Sequence, residues 1–199
     1  MSHSRHSDPQ SRAARSFRRL TCAVALAASS GLAAMASAQA PAKQGATERG
    51  AYLVTIGGCN DCHTPFKIGA KGPEPDMTRM LSGHPAKLVM PPAPAAQGPW
   101  IWSGAATNTA FAGPWGVSYA PNLTPDEQTG LGRWTEQQFI QAMRTGRHLG
   151  NGRPILPPMP WPGIARMTDA DLKAVFAYLR SVPAIANAAP ESVVAEPAK

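Results

Sequence analysis

The chain has 199 residues, enough for one domain or one domain with a tail. Its formal net charge is +7, but residues 1–38 carry five Arg and one Asp, so the remainder is at about +3. That small excess gives no case for nucleic-acid binding. Of the three cysteines, Cys22 lies in the first segment and only Cys59 and Cys62 lie beyond it.

The first element is a basic stretch, "SRAARSFRRL", followed by the apolar run "TCAVALAASSGLAAMA" and the small residues "ASAQA". This order predicts a secretory signal peptide over 1–38, cut after Ala38 or alternatively Ala40. The apolar run is short and rich in Ala and Ser, a poor membrane span. The flanks of Arg18-Arg19 fit Sec export better than the twin-arginine route. Residues 39–46 read as a disordered lead-in. In "TERGAYLVTIGG", Tyr52, Leu53 and Ile56 recur at helical spacing, with Thr47 as a cap. The motif "CNDCH" follows directly.

Residues 64–125 change character. They are rich in Pro and Gly, with no pattern for a long helix, and from Leu88 to Pro125 there is no Asp, Glu, Lys or Arg. Trp100, Trp102, Phe111, Trp115 and Tyr119 argue against disorder there. The segment reads as an ordered loop region with short hairpin strands, and its aromatics either wall in a cofactor or dock a partner. Helical periodicity returns in "TEQQFIQAMRTG", where Thr135 and Gln138 have capping-box spacing and Gly146 is a natural stop. After "RPILPPMPWPG" comes "TDADLKAVFAYLRSV". Thr168 is its cap, its acids stand at the positive end, and Leu172, Val175, Phe176 and Leu179 form one apolar face. Residues 184–199 read as a flexible tail.

"CNDCH" admits three readings. A zinc site needs four ligands, and His84 and His148 are too far apart to act as a second short-spaced pair. A thioredoxin-like dithiol would follow a strand, and none is expected here. Covalent haem attachment fits best: Cys59 and Cys62 share one side of a helical turn, and His63 supplies the proximal iron ligand. Export favours it, since such attachment takes place outside the cytoplasm.

The helix before "CNDCH", the "LPPMPWP" segment, "YAPNLTPDEQTGLGRWTEQQFIQAMRTG" and the closing "LKAVFAYLRSVP" together resemble a class I c-type cytochrome. The nearest likeness is to the monohaem modules that serve bacterial periplasmic dehydrogenases. The resemblance spans about 47–183 and implies a mainly α cytochrome c fold. It departs from small soluble cytochromes in the long insertion, about 66–120, between the haem-attachment helix and the later helices. It also implies one haem c, and a distal ligand in a loop before the final helix.

Met159 is the expected distal ligand. It stands in Pro157-Pro158-Met159-Pro160-Trp161-Pro162, where the prolines leave little backbone entropy to lose on folding. His148 is the competing ligand and His84 a weaker one. Met77, Met80 and His84 have spacings that would share a helical face, where a soft copper site is conceivable but packing is the better reading. Met143 reads as core. The second nitrogen of His63 needs an acceptor, expected among the carbonyls of residues 72–75. Trp115, Tyr119, Asn122, Arg144 and Arg147 are candidate donors to the haem carboxylates.

With both axial positions filled, the expected function is a non-catalytic periplasmic carrier of single electrons. Its expected donor is a dehydrogenase and its acceptor an oxidase or another cytochrome; peripheral association with a membrane complex is left open. The alternative is a haem enzyme or gas sensor with a displaceable distal ligand.

Overall fold

The computed structural model describes residues 45–94 and 98–195. The expected signal peptide and most of the lead-in lie outside the described residues.

Helix α1 spans Ala46–Ile56 and opens at Gly45 with no side-chain cap, so Thr47 lies inside the first turn instead of capping it. Helix α2 is the single turn Cys59–His63. The expected continuous run to residue 58 breaks because Gly58 is left-handed, at φ 65°. Helix α3, Glu136–Thr145, has the full capping box. The Gln138 amide donates to Thr135 Oγ1 at 3.2 Å, and the Thr135 amide donates to Gln138 Oε1 at 2.9 Å. A short helix α4 covers Trp161–Ile164, and α5 covers Asp169–Ser181 with Thr168 as its cap.

The core lies where α1, α3 and α5 meet. Leu53 and Val54 of α1, Phe139 and Ile140 of α3, and Leu172, Val175, Phe176 and Leu179 of α5 are all buried. These positions recur at the helical spacing that keeps one face apolar. Phe139 and Phe176 bring their rings to 5.3 Å across the α3–α5 contact. The α1–α5 contact turns on Gly50, where a Cβ would lie 2.0 Å from the Ala174 carbonyl oxygen.

Six short strands join these helices among the described residues, a more mixed architecture than a mainly α fold. Strands β1 (Phe66–Gly69) and β2 (Gly72–Pro75) form an antiparallel hairpin. Strands β3 (Ser103–Gly104), β4 (Ala110–Gly113), β5 (Gly116–Tyr119) and β6 (Val193–Val194) form a second antiparallel sheet in that order, with Phe111 opposite Ser118 and Val117 opposite Val193. The Pro/Gly-rich insertion thus supplies strands too short to leave a strong periodic signal.

The tail departs from the flexible reading. Residues 184–195 are bound to the body, and β6 is part of them. Asn187, 7% exposed, is the anchor. Its amide nitrogen donates to the carbonyls of Ser82 and His84 at 2.7 and 2.8 Å, and its amide oxygen accepts from the Ala86 amide at 3.0 Å. Removing that side chain strands two buried carbonyls and one amide hydrogen. We expect Asn187→Ala to lose about 3 kcal/mol, since each orphaned group costs about 1–3 kcal/mol and neighbours relax. Urea unfolding of the two proteins checks this, and an unchanged midpoint would refute it.

Candidate haem site

The turn that carries the motif is shaped by its two flanks. Gly57 and Gly58 end α1, with the Gly57 amide donating to the Leu53 carbonyl at 2.8 Å. On the far side Thr64 is fully buried. Its hydroxyl donates to Asn60 Oδ1 at 2.8 Å and accepts from the Leu81 amide at 2.9 Å. The turn is therefore fixed at both ends before any cofactor is considered. Cys59 and Cys62, three residues apart on it, lie on neighbouring positions of one face.

His63 closes the turn and is 5% exposed. Its Nδ1 lies 2.8 Å from the Pro121 carbonyl oxygen. A carbonyl can only accept, so Nδ1 carries the hydrogen and Nε2 presents a free lone pair. The acceptor expected in residues 72–75 is thereby corrected. That stretch is β2 and pairs along its length with β1, whereas Pro121 lies in the extended chain just after β5. The approach depends on Gly83, at φ 77°, whose amide donates to the His63 carbonyl at 2.8 Å. A Cβ there would lie 2.5 Å from the Ala120 carbonyl oxygen. Both contacts to His63 are made by backbone groups of Pro121 and Gly83, so no side chain in the sequence advertises them.

Electrostatics separate the readings of the motif. Burial lowers the pKa of His63, against a smaller opposing effect of its bond to Pro121, which favours the neutral ring that can bind a metal. As a free thiol, Cys59 is pushed up to about 11, chiefly by burial. Burial, and then the Asp61 carboxylate, also raises Cys62. A redox dithiol needs the opposite shift, toward thiolate at neutral pH. Among the described residues there is also no cluster of three or more His, Cys, Asp or Glu suited to a metal ion.

Met159 is half-buried in a loop held from two sides. The Ile155 amide donates to the Gly146 carbonyl at 2.8 Å, and Ser118 Oγ donates to the Pro157 carbonyl at 2.6 Å. Ser118 belongs to β5. One extended segment therefore touches the Met159 loop through Ser118 and holds His63 through Pro121, three residues later.

The other candidates have structural work. His84 is fully buried, with Nδ1 2.9 Å from Thr109 Oγ1 and Nε2 3.1 Å from the Leu88 carbonyl oxygen. Both ring nitrogens are engaged and Met77 is exposed, so the copper alternative lacks a donor set. His148 packs edge-on against Trp134 at 4.9 Å. Met143, Met80 and Met167 pack against the core. The aromatic segment divides: Phe111 is buried, while Trp100 and Trp102 are exposed.

Among the five candidate donors to a haem carboxylate, Asn122 spends its amide nitrogen on the Ile185 carbonyl at 2.7 Å and on Thr129 Oγ1 at 3.1 Å. Arg144 bonds to the Ala165 carbonyl and Asp169, and Arg147 to the Gly152 carbonyl. Tyr119 packs its ring edge-on against His84. The indole nitrogen of Trp115 is buried and has no partner. A buried N–H of this kind needs an acceptor, which a haem carboxylate would provide. Two thiols, a neutral imidazole with a free Nε2 and an unmatched donor fit a covalently held haem.

Comparison with known proteins gives the same answer. The family model for cytochrome c matches residues 47–183. The chain belongs to the cytochrome c family. Haem c, covalently bound, is this cytochrome's cofactor. The cytochrome is 31% identical over 161 residues to the cytochrome c subunit of alcohol dehydrogenase (quinone) of Gluconacetobacter polyoxogenes, covering 80% of the chain and 27% of that protein. To the gluconate 2-dehydrogenase cytochrome c subunit of Pantoea cypripedii it is 30% identical over 151 residues, or 75% of the chain and 26% of that protein. A nicotinate dehydrogenase subunit of Pseudomonas putida is 32% identical over 143 residues, covering 72% of the chain but 9% of its own length. The chain thus spans about a quarter or less of the length of these relatives.

Proposed function

We propose that this cytochrome is a periplasmic monohaem carrier that accepts single electrons from a dehydrogenase and passes them toward the respiratory chain. The observation that carries the reading is the turn Cys59–His63, with its histidine held by the Pro121 carbonyl so that Nε2 is free. When bound, the haem supplies a one-electron iron couple.

In this reading Cys59 and Cys62 would fasten the haem through thioethers, and His63 and Met159 would hold its iron. The Pro121 carbonyl fixes the ring orientation of His63 and raises its basicity. The prolines around Met159 hold the loop with little entropy left to lose. The Trp115 N–H, buried without a partner, would donate to a haem carboxylate without adding charge. The cytochrome c subunits of the related alcohol and gluconate dehydrogenases support a dehydrogenase as electron donor. No helix among the described residues is long and apolar enough to cross a membrane. The periplasmic assignment rests on the leader-like sequence of residues 1–38.

Expressed with its leader in a host that matures c-type cytochromes, the protein should appear in the osmotic-shock fraction. It should carry one haem that survives denaturation, and Cys59→Ala with Cys62→Ala should abolish that attachment. A potentiometric titration should follow a one-electron Nernst curve. A colourless wild-type protein, or the absence of a reversible one-electron couple, would overturn the assignment.

A further inference from the structure

Two backbone groups hold His63: the Pro121 carbonyl accepts from its Nδ1, and the Gly83 amide donates to its carbonyl. They belong to segments far apart in the sequence, and the C-terminal tail grips the immediate neighbours of both. Asn187 Nδ2 donates to the carbonyls of Ser82 and His84, on either side of Gly83, at 2.7 and 2.8 Å. Asn122, next to Pro121, donates its side-chain amide to the Ile185 carbonyl at 2.7 Å. The Ile185 amide donates to Thr124 Oγ1 at 3.1 Å, and the Asn187 amide to Thr129 Oγ1 at 3.0 Å. Upstream of Pro121, Ser192 Oγ accepts from the Tyr119 amide at 3.1 Å, and the Ala195 amide donates to the Trp115 carbonyl at 2.9 Å. Asn122, Thr124 and Asn187 are buried, so these bonds face little competition from water. Among the described residues the apolar core ends at Val182, and the tail beyond it makes no hydrogen bond to His63 itself. Its polar contacts go to the backbone on both sides of the histidine.

We propose that residues 184–195 are a clasp that holds His63 in place through its neighbours, with Asn187 the positioning residue that ties the Gly83 segment to the Pro121 segment. The proposal rests on the haem-carrier reading above. A ring N–H that donates to a fixed carbonyl makes the opposite nitrogen a stronger ligand, and a stronger donor favours ferric iron. The strength of that N–H bond depends on its length and angle. A clasp that fixes both segments therefore fixes the donor strength of Nε2. Without the Asn187 side chain the two segments separate more easily, the Nδ1–H bond weakens and the ferrous state gains. General loosening has the opposite sign, because water admitted beside the haem favours the more highly charged ferric iron.

The test uses the haem-loaded full chain, isotopically labelled in its histidines. Nuclear magnetic resonance of the ferrous protein follows solvent exchange of the His63 ring N–H, and a potentiometric titration gives the midpoint. The control is Leu179→Ala, which removes a buried core side chain of α5 and leaves both backbone contacts of His63 in place. The N–H should exchange at least about tenfold faster in Asn187→Ala than in Leu179→Ala, because the opening is local and not global. In Asn187→Ala the ferrous-to-ferric ratio at a fixed applied potential should rise at least about threefold over the parent. That is about 28 mV of midpoint, since tenfold is about 59 mV for one electron. The Leu179→Ala midpoint should be unchanged or lower. Asn187→Ser keeps a polar group but cannot reach all three backbone partners, so it should move both readouts in the same direction by less. It decides by the same two measurements if Asn187→Ala does not fold. A lowered urea midpoint with unchanged exchange and potential would leave the tail a stabilising element only and overturn the proposal. A midpoint that falls, or equal exchange in the Asn187 and Leu179 variants, would overturn it too. A colourless parent protein overturns the carrier reading together with this one. A haem protein without a reversible one-electron couple overturns the carrier reading alone, and the N–H exchange still decides the clasp.

Discussion

Replacing Met159 by Ala should convert the haem from six-coordinate and low-spin to high-spin, and should open the ferrous form to carbon monoxide. The reduction potential should fall by about 0.1 V or more, a modest part of the ~0.8 V range that axial ligands govern. The sign follows from the ligand: a thioether favours ferrous iron more than water or hydroxide does, so its loss favours the ferric state. The loop itself should survive the change. Its anchors are backbone groups of Ile155 and Pro157, which Met159 does not provide. Met159→His, which returns a nitrogen donor, should restore a low-spin spectrum at a lower potential. Met143→Ala and Met167→Ala remove sulfurs that pack on the core and should leave the spectrum unchanged. A carbon monoxide complex formed rapidly by the unaltered protein would instead favour the enzyme or sensor alternative, as would a Met159→Ala spectrum like that of the parent.

Much of this molecule is legible in local sequence, for reasons that differ from element to element. The turn Cys59–His63 stands out in the sequence because the chemistry proposed for it needs three side chains at fixed spacing. Helix α3 and the start of α5 can be read because their caps are side chains within a few residues of the backbone they satisfy. The partner of His63 cannot be read this way. It is a backbone carbonyl 58 residues away, and every residue has one. The segment 72–75 is a reasonable expectation from proximity to the motif, but its strand pairing with β1 makes it a separate hairpin. The tail misleads for a related reason. "AIANAAP" has no periodicity, yet a single Asn replaces an element's worth of contacts by binding three backbone groups at once. A lone amide in a run of small apolar residues is the cue, and it gains meaning only from the partners that the fold supplies.

Gly50 shows the same limit in α1, and its replacement should have the largest effect on stability. Intrinsic helix propensity makes Gly50→Ala favourable by about 1 kcal/mol. The tertiary contact reverses that sign. A Cβ at Gly50 would lie 2.0 Å from the Ala174 carbonyl oxygen, 2.7 Å from its carbon and 2.7 Å from Tyr178 Cβ. Two of these atoms are backbone of α5, so no side-chain rotation clears the space. The helices must move apart by more than an ångström, which loosens Leu53 and Val54 against Leu172 and Leu179. We expect Gly50→Ala to lose at least about 3 kcal/mol, at the upper end for overpacking because backbone must shift. Gly50→Val should fail to fold. Gly163→Ala is the control: nothing lies within 4 Å of its Cβ position, so it should be neutral or slightly stabilising. Urea unfolding followed by circular dichroism measures all three, and a Gly50→Ala midpoint equal to that of the parent would refute the packing argument. Because α1 passes directly into the Cys59–His63 turn, the same displacement should also lower the fraction of chains that acquire haem, a readout that the Gly163 control leaves untouched.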